Sequence, residues 1–152
     1  MCSSWVRAFP AIIMTMNSFS IPRRAVKAVI TNAQGDILFL QRNGKARVDG
    51  KCNWDLPGGL IESGEDDAIA LEREVKEEVG QKARVGRALG TWTFFRQFDR
   101  KTVTVTNYAV TLETYNLDDL KLSKEHIAAQ FVRRSALPRL DVKDPSIFVA
   151  LG

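Results

Sequence analysis

Cysteine and histidine are scarce in this chain, with two Cys and one His among 152 residues. Two cysteines make no disulfide framework, and neither Cys2 nor Cys52 has the spacing of a zinc ligand. They read as free thiols of a reducing cytoplasm, a Cys2–Cys52 bridge being the alternative. His126 has no second His or Cys near it and reads as structural rather than as a ligand. Long apolar runs are lacking too. The run from Phe9 to Met16 is too short to span a bilayer, so no membrane partner is expected. Pro10 interrupts it and only Arg7 precedes it, which speaks against a secretory signal. No repeat, low-complexity tract or dividing linker is present. A strong charge excess is also missing: 22 Lys and Arg face 18 Asp and Glu, for a net charge of +4. Such a mild excess suits a small polyphosphate. The basic residues are scattered, with Arg23-Arg24 and Arg133-Arg134 only as pairs, which argues against a nucleic-acid partner.

What is present is ordinary for one globular domain with a sizeable core: 45 % apolar and 26 % charged residues. We expect an N-terminal extension over 1–22 and a domain over 23–152. The apolar extension is expected to pack on its own core or on a second subunit, so a homodimer is one expectation. Residues 24–31 and 37–41 read as two apolar strands joined by the polar turn 32–36, a hairpin. A polar loop over 43–53 precedes the Pro57-Gly58-Gly59 turn. A helix follows, with Ser63 as candidate cap, Ala68, Leu71, Val75 and Val79 in one apolar sector, and Gly80 at its end. Residues 82–97 are strand-like but broken at Gly86 and Gly90, and 102–113 alternate Val and Thr as a strand does. A short strand over 129–133, a helical turn over 135–140 and a last helix starting at Asp144-Pro145 complete the chain. That order predicts an α/β domain with a mixed sheet covered on both faces.

The most informative stretch is acidic. Glu74, Glu77 and Glu78 stand at i, i+3 and i+4 of the helix, so their carboxylates fall on neighbouring positions and repel. A hard divalent cation would relieve the repulsion, since such ions prefer oxygen ligands. The alternative is a solvated acidic face. Neighbouring residues favour the first reading. Gly59 is followed by Glu65, then by Arg73-Glu74-Val75, then by Glu77-Glu78 and Gly80. This spacing resembles the Nudix box, G-x5-E-x7-R-E-U-x-E-E-x-G-U, where U is bulky and apolar. It departs at the last position, which is Gln81. Trp54-Asp55-Leu56-Pro57-Gly58-Gly59 is similar to the W-x-L-P-G-G stretch that leads into the box. Residues 36–42 are similar to the family's second strand, which often ends in arginine, here Arg42. Glu125 followed by Phe131 resembles a downstream pattern of the MutT-type branch. The resemblance covers roughly residues 24–151.

The resemblance implies a Nudix α/β/α sandwich and a metal-dependent hydrolase. Its substrate would be the phosphoanhydride bond of a nucleoside diphosphate linked to another moiety, or of a (d)NTP. The implied cofactor is Mg²⁺, with Mn²⁺ as alternative. Glu74, Glu77, Glu78 and the Gly58 carbonyl are the implied metal ligands, and Arg73 orients Glu65 or Glu74. Glu74, Arg73 and Glu125 are the candidate catalytic residues. The general base stays open between Glu74 and a loop acid, for which Glu125 competes with Glu113 and Asp99. Arg42 is a candidate phosphate contact with Arg47 and Lys51 as helpers, because guanidinium groups match phosphate. Trp54 and Phe95 read either as core or as a stacking surface for a nucleobase. Two alternatives remain: a nucleotide-binding sensor module with little catalysis, and a pyrophosphohydrolase acting on RNA 5′ ends. Markers that would name a subfamily are missing.

Overall fold

Residues 22–152, the part described by this computed structural model, form seven strands and, among those residues, one α-helix. The strands are β1 (Arg23–Ile30), β2 (Ile37–Arg42), β3 (Trp54–Asp55), β4 (Gly58–Leu60), β5 (Ala83–Arg96), β6 (Lys101–Leu112) and β7 (His126–Val132). The helix α1 spans Asp67–Val79 between β4 and β5. One sheet has the order β4-β1-β6-β5 and is mixed, since β1 runs parallel to β6 but antiparallel to β4. A second, antiparallel sheet has the order β3-β2-β7. The expected extension over 1–22 lies, through residue 21, outside the described residues, as does Cys2. Cys52 is a free, exposed thiol. No helix among the described residues is long and apolar enough to cross a membrane.

The expected β1–β2 hairpin does not form. Only an isolated bridge joins Thr31 to Ile37, and the two strands then enter different sheets. Burial on both faces explains the divergence. Ala25 and Val29 of β1 face one apolar cluster, whereas Val26, Ala28 and Ile30 face the other. A strand covered on both sides sits inside a sheet and pairs along both edges, and β1 does so with β4 and β6. β2 is equally buried, with Ile37 and Phe39 in one cluster and Leu38 and Leu40 in the other.

α1 covers one side. Its cap is Asp66, whose carboxylate accepts from the Ile69 N–H at 2.9 Å, in place of the expected Ser63. Gly80 ends it in the left-handed region, with φ of 73°. Ala70, Leu71, Val75 and Val79 are its buried apolar residues. Ala68 shares their sector but is exposed, because in the first turn it lies beyond the packed length of the helix. The other side is closed by 3-10 segments, Arg134–Arg139 and Pro145–Ala150, the latter in place of the expected helix. Buried Asn107 pins that last segment: its carbonyl accepts from Trp92 Nε1 at 3.0 Å and its amide donates to Ala150 O at 2.8 Å. β5 is one strand where breaks were expected. Its irregularities near Gly86 and Gly90 are register shifts against β6, the signature of bulges.

Candidate active site

The site begins at the turn leading into β4. Gly58 has φ of 132°, and a Cβ there would run into the Val26 carbonyl, so only glycine lets the turn lie this close to β1. Three successive carbonyls of the turn bond to β1. Ala28 N–H donates to Pro57 O at 2.8 Å. Lys27 Nζ donates to Leu56 O at 3.0 Å, to Gly58 O at 3.2 Å and to Asp55 Oδ2 at 2.9 Å. Lys27 and Asp55 are buried, and Arg42 adds a bond to Asp55 Oδ2 at 3.2 Å. Burial works against an ionised Asp55, yet the charges of Lys27 and Arg42 hold its pKa below the ordinary value. The Gly58 N–H donates to Glu78 Oε2 at 2.8 Å. Burial pushes Glu78 up to about 8, against the opposing pull of Lys27 and of that bond.

Arg73 organises the exposed flank of α1. Its Nε and Nη2 grip Glu65 at 2.6 and 2.9 Å. Nη1 reaches Glu74 Oε1 at 2.9 Å and Glu77 Oε2 at 3.4 Å, and Nη2 also reaches Leu60 O at 3.2 Å. The guanidinium draws Glu65 down to about 2, and Glu65 in turn raises Arg73. Glu74 lies above the ordinary carboxylate value because burial outweighs the pull of Arg73. Its carboxylate rests against Gly59, where an added Cβ would lie 2.6 Å from Oε1. Glycine at this position is what makes room for the acid.

A cavity of about 1540 Å³ joins these elements. Arg42, Arg47, Lys51, Gly58, Arg73, Glu74, Glu77, Glu78 and Glu125 all line it. They differ in setting. Glu78 is buried, Glu77 is exposed, and Arg47 is engaged by Asp49 within its own loop. Among the described residues, no three His, Cys, Asp or Glu side chains are gathered tightly enough to form a ready-made cation cage. Glu125 is exposed, but its main chain is fixed: Asn43 N–H donates to Glu125 O at 2.7 Å, and Ser123 N–H donates to Glu78 O at 3.1 Å. Beside it, His126 is buried. Burial, then the charges of Arg42 and Lys27, lower its pKa to about 4.

The opposite wall carries Trp92, Phe94, Phe95, Phe98 and Ile147. Phe95 therefore lines the cavity, while Trp54 packs against the core and does not. Asp99 is gripped by Arg96 at 3.0 and 2.7 Å, and neither Asp99 nor Glu113 lines the cavity. Sequence reasoning passed over Lys27 and Asp55. A usable signal existed, because Lys27 is the one charge inside the apolar run 25–30, and a buried charge requires a partner.

Comparison with known proteins agrees with this geometry. The NUDIX domain family matches residues 21–151, and the chain belongs to that family. Nudix hydrolases generally need a divalent metal. A MutT protein from Methanosarcina mazei Go1 superposes with a TM-score of 0.73 at 28 % identity, covering 88 % of this chain and 94 % of that one. Among curated proteins, the CTP pyrophosphohydrolase of Escherichia coli (strain K12) is 41 % identical over 61 residues, 40 % of this chain and 44 % of that protein. The 8-oxo-dGDP phosphatase of Mus musculus is 42 % identical over 55 residues, 36 % of this chain but only 16 % of that protein. This chain thus spans less than half the length of either relative.

Proposed function

We propose that the domain over 23–152 is a Mg²⁺-dependent hydrolase of phosphoanhydride bonds. Its substrate is a nucleoside diphosphate linked to another moiety, or a (d)NTP, and Mn²⁺ is the alternative ion. One observation carries this reading: a single cavity holds Glu74, Glu77, Glu78 and the Gly58 carbonyl together with Arg42, Arg47 and Lys51. The donors are all oxygen, which suits a hard divalent cation. Glu78 fits it further, because burial strips water from its carboxylate and disfavours the ionised form, which a bound cation would favour again. A cation held by these groups would neutralise phosphate oxygens and lower the pKa of a bound water.

The chain's own residues supply the rest. Arg42, Arg47 and Lys51 bind the phosphates, as guanidinium and ammonium groups do. Arg73 holds Glu74 in place through Nη1. Glu74 or Glu125 takes the proton of the attacking water. The water oxygen bonds to one phosphorus as that phosphorus releases the bridging oxygen. A nucleoside monophosphate and a phosphorylated product leave, or pyrophosphate from a triphosphate. The names of the relatives, a CTP pyrophosphohydrolase and an 8-oxo-dGDP phosphatase, support a nucleotide substrate. The free Cys52 suits a reducing cytoplasm.

The test is a panel of nucleotides and nucleotide conjugates, with Mg²⁺ or Mn²⁺, scored by released phosphate products. One class should turn over only with the metal. Glu77→Gln, at an exposed position, should lower kcat by at least about 10²-fold while leaving the melting temperature unchanged. Absence of turnover across the panel with both ions, or near-normal activity of Glu77→Gln, would sink the reading.

A further inference from the structure

We propose that Lys27 is a positioning residue of this site, one that fixes the Gly58 carbonyl for the cation; the inference rests on the function proposed above. Lys27 is the β1 residue in register with Gly58, so its side chain leaves the sheet directly beneath the turn. Its Nζ meets three oxygens at 2.9, 3.0 and 3.2 Å, and so uses all three of its protons. Two of those oxygens belong to the turn's main chain, and the third, on Asp55, anchors the ammonium. Without Lys27 the carbonyls of Leu56 and Gly58 would lose these bonds in a buried place, where unpaired carbonyls are costly. Gly58 is thereby held through both of its main-chain polar groups, its N–H by Glu78 and its C=O by Lys27. A carbonyl oxygen has two lone pairs. Lys27 occupies one and leaves the other for a cation, in a direction the clamp sets. Lys27 touches neither substrate nor reacting atoms in this scheme; it acts through Gly58.

The opposite role is also concrete. An ammonium on the Gly58 carbonyl could compete with a divalent cation for it, and the two roles predict opposite signs. Lys27→Met keeps length and suits burial while removing the charge and the donors. Mn²⁺ binding to metal-free protein, read by electron paramagnetic resonance of the unbound ion, should weaken at least fivefold in Lys27→Met. kcat at saturating metal should fall at least tenfold, with KM for the nucleotide changed less than threefold. Lys27→Arg, which retains a cationic donor, should recover part of both losses. Tighter Mn²⁺ binding in Lys27→Met would overturn the proposal in favour of competition. Unchanged binding and kcat, with only a lower melting temperature, would reduce Lys27 to a purely structural residue and also overturn it. Should Lys27→Met fail to fold, Lys27→Gln decides by the same readings. A wild-type protein that binds no Mn²⁺ defeats the parent reading as well, whereas normal wild-type binding with an unaffected variant defeats the role of Lys27 alone.

Discussion

The two ends of the cavity are built by different means. At the α1 end, the local web of Arg73 with Glu65 and Glu74 is joined by bonds between partners distant in sequence. Lys27 meets Asp55 from 28 residues away, Gly58 meets Glu78 from 20, and Arg73 meets the Leu60 carbonyl from 13. At the β5–β6 turn and in the loop between β2 and β3, charged groups pair chiefly with near neighbours. Arg96 takes Asp99 three residues on, with Arg23 at 3.4 Å as a partner from another strand, and in the β2–β3 loop Arg47 takes Asp49 two residues on. Long-range pairs exist only once the fold exists, and they fix atoms relative to one another across elements. Local pairs form within one loop and travel with it. Under the function proposed above, the contrast suits the α1 end to precise positioning, as bond cleavage needs, and the hairpin end to contacts that select among substrates.

The largest expected effect tests the rigid end. In Gly59→Ala the new Cβ would meet the Glu74 carboxylate at 2.6 Å, and the contact is with the tip of a side chain rather than with backbone. The fold should therefore survive while the acid moves. A displacement of about 1 Å in a positioned group costs roughly 10²-fold in rate, and kcat should fall at least that far with the melting temperature nearly unchanged. Steady-state kinetics and thermal melts on the same preparation check it. Retained activity would show that the α1 end tolerates movement and would erase the contrast between the two ends.

The next effect concerns pH. His126 titrates near 4 in the folded chain against an ordinary 6.5, so it is held neutral by burial and by Arg42 and Lys27. The unfolded chain then binds more protons below pH 6.5. The contribution of His126 is fully present above that pH and is lost as pH falls through about 4. At about 1.4 kcal/mol per unit, the loss amounts to roughly 3 kcal/mol. Glu78 slopes the other way in metal-free protein: its folded pKa of about 8 lies above the ordinary 4.5, so its contribution declines as pH rises between those values. The difference between wild type and His126→Gln isolates the first effect. Denaturant titrations from pH 7 to pH 4 should show a stability difference that shrinks with acidity. A pH-independent difference would mean that the neighbourhood of Arg42 and Lys27 is wetter than the α1 end requires.

Legibility in the sequence follows how far apart the partners lie along the chain, not which end of the cavity they serve. The web of Arg73, Glu65 and Glu74 lies within one turn-and-helix segment, so its spacing could be read directly. The acidic flank, the Gly80 stop and the strand over 102–113 were readable for the same reason: helix and strand periods are local. The pairing of β1 was not readable. A turn at 32–36 argued for a hairpin, while the burial of β1 on both faces, a property of the assembled layers, decided the outcome. The cap moved from Ser63 to Asp66 because the exact start of a helix depends on where the preceding loop is tied, here by Glu62 N–H to Glu65. Lys27 and Asp55 were missed because nothing within 10 residues of either shows that they will meet. A lysine in an apolar strand announces that it needs a partner, but not which one.

The smallest effect belongs to the hairpin end. Phe98 lies at the cavity rim, in the turn between β5 and β6, and is 86 % exposed. A ring so exposed contributes almost no core packing, so Phe98→Ala should leave stability within about 0.5 kcal/mol, as surface changes do. If the cavity takes a nucleotide as proposed, an exposed aromatic face beside it is suited to stack on the base, a contact made equally in ground and transition states. Loss of such uniform binding raises KM and spares kcat. The expected result is a rise in KM of about fivefold to tenfold, smaller than a fully formed base–aromatic stack, with kcat within twofold. A fall in kcat at constant KM would mean that Phe98 orders the reacting groups, which would bring the hairpin end under the same geometric constraint as α1.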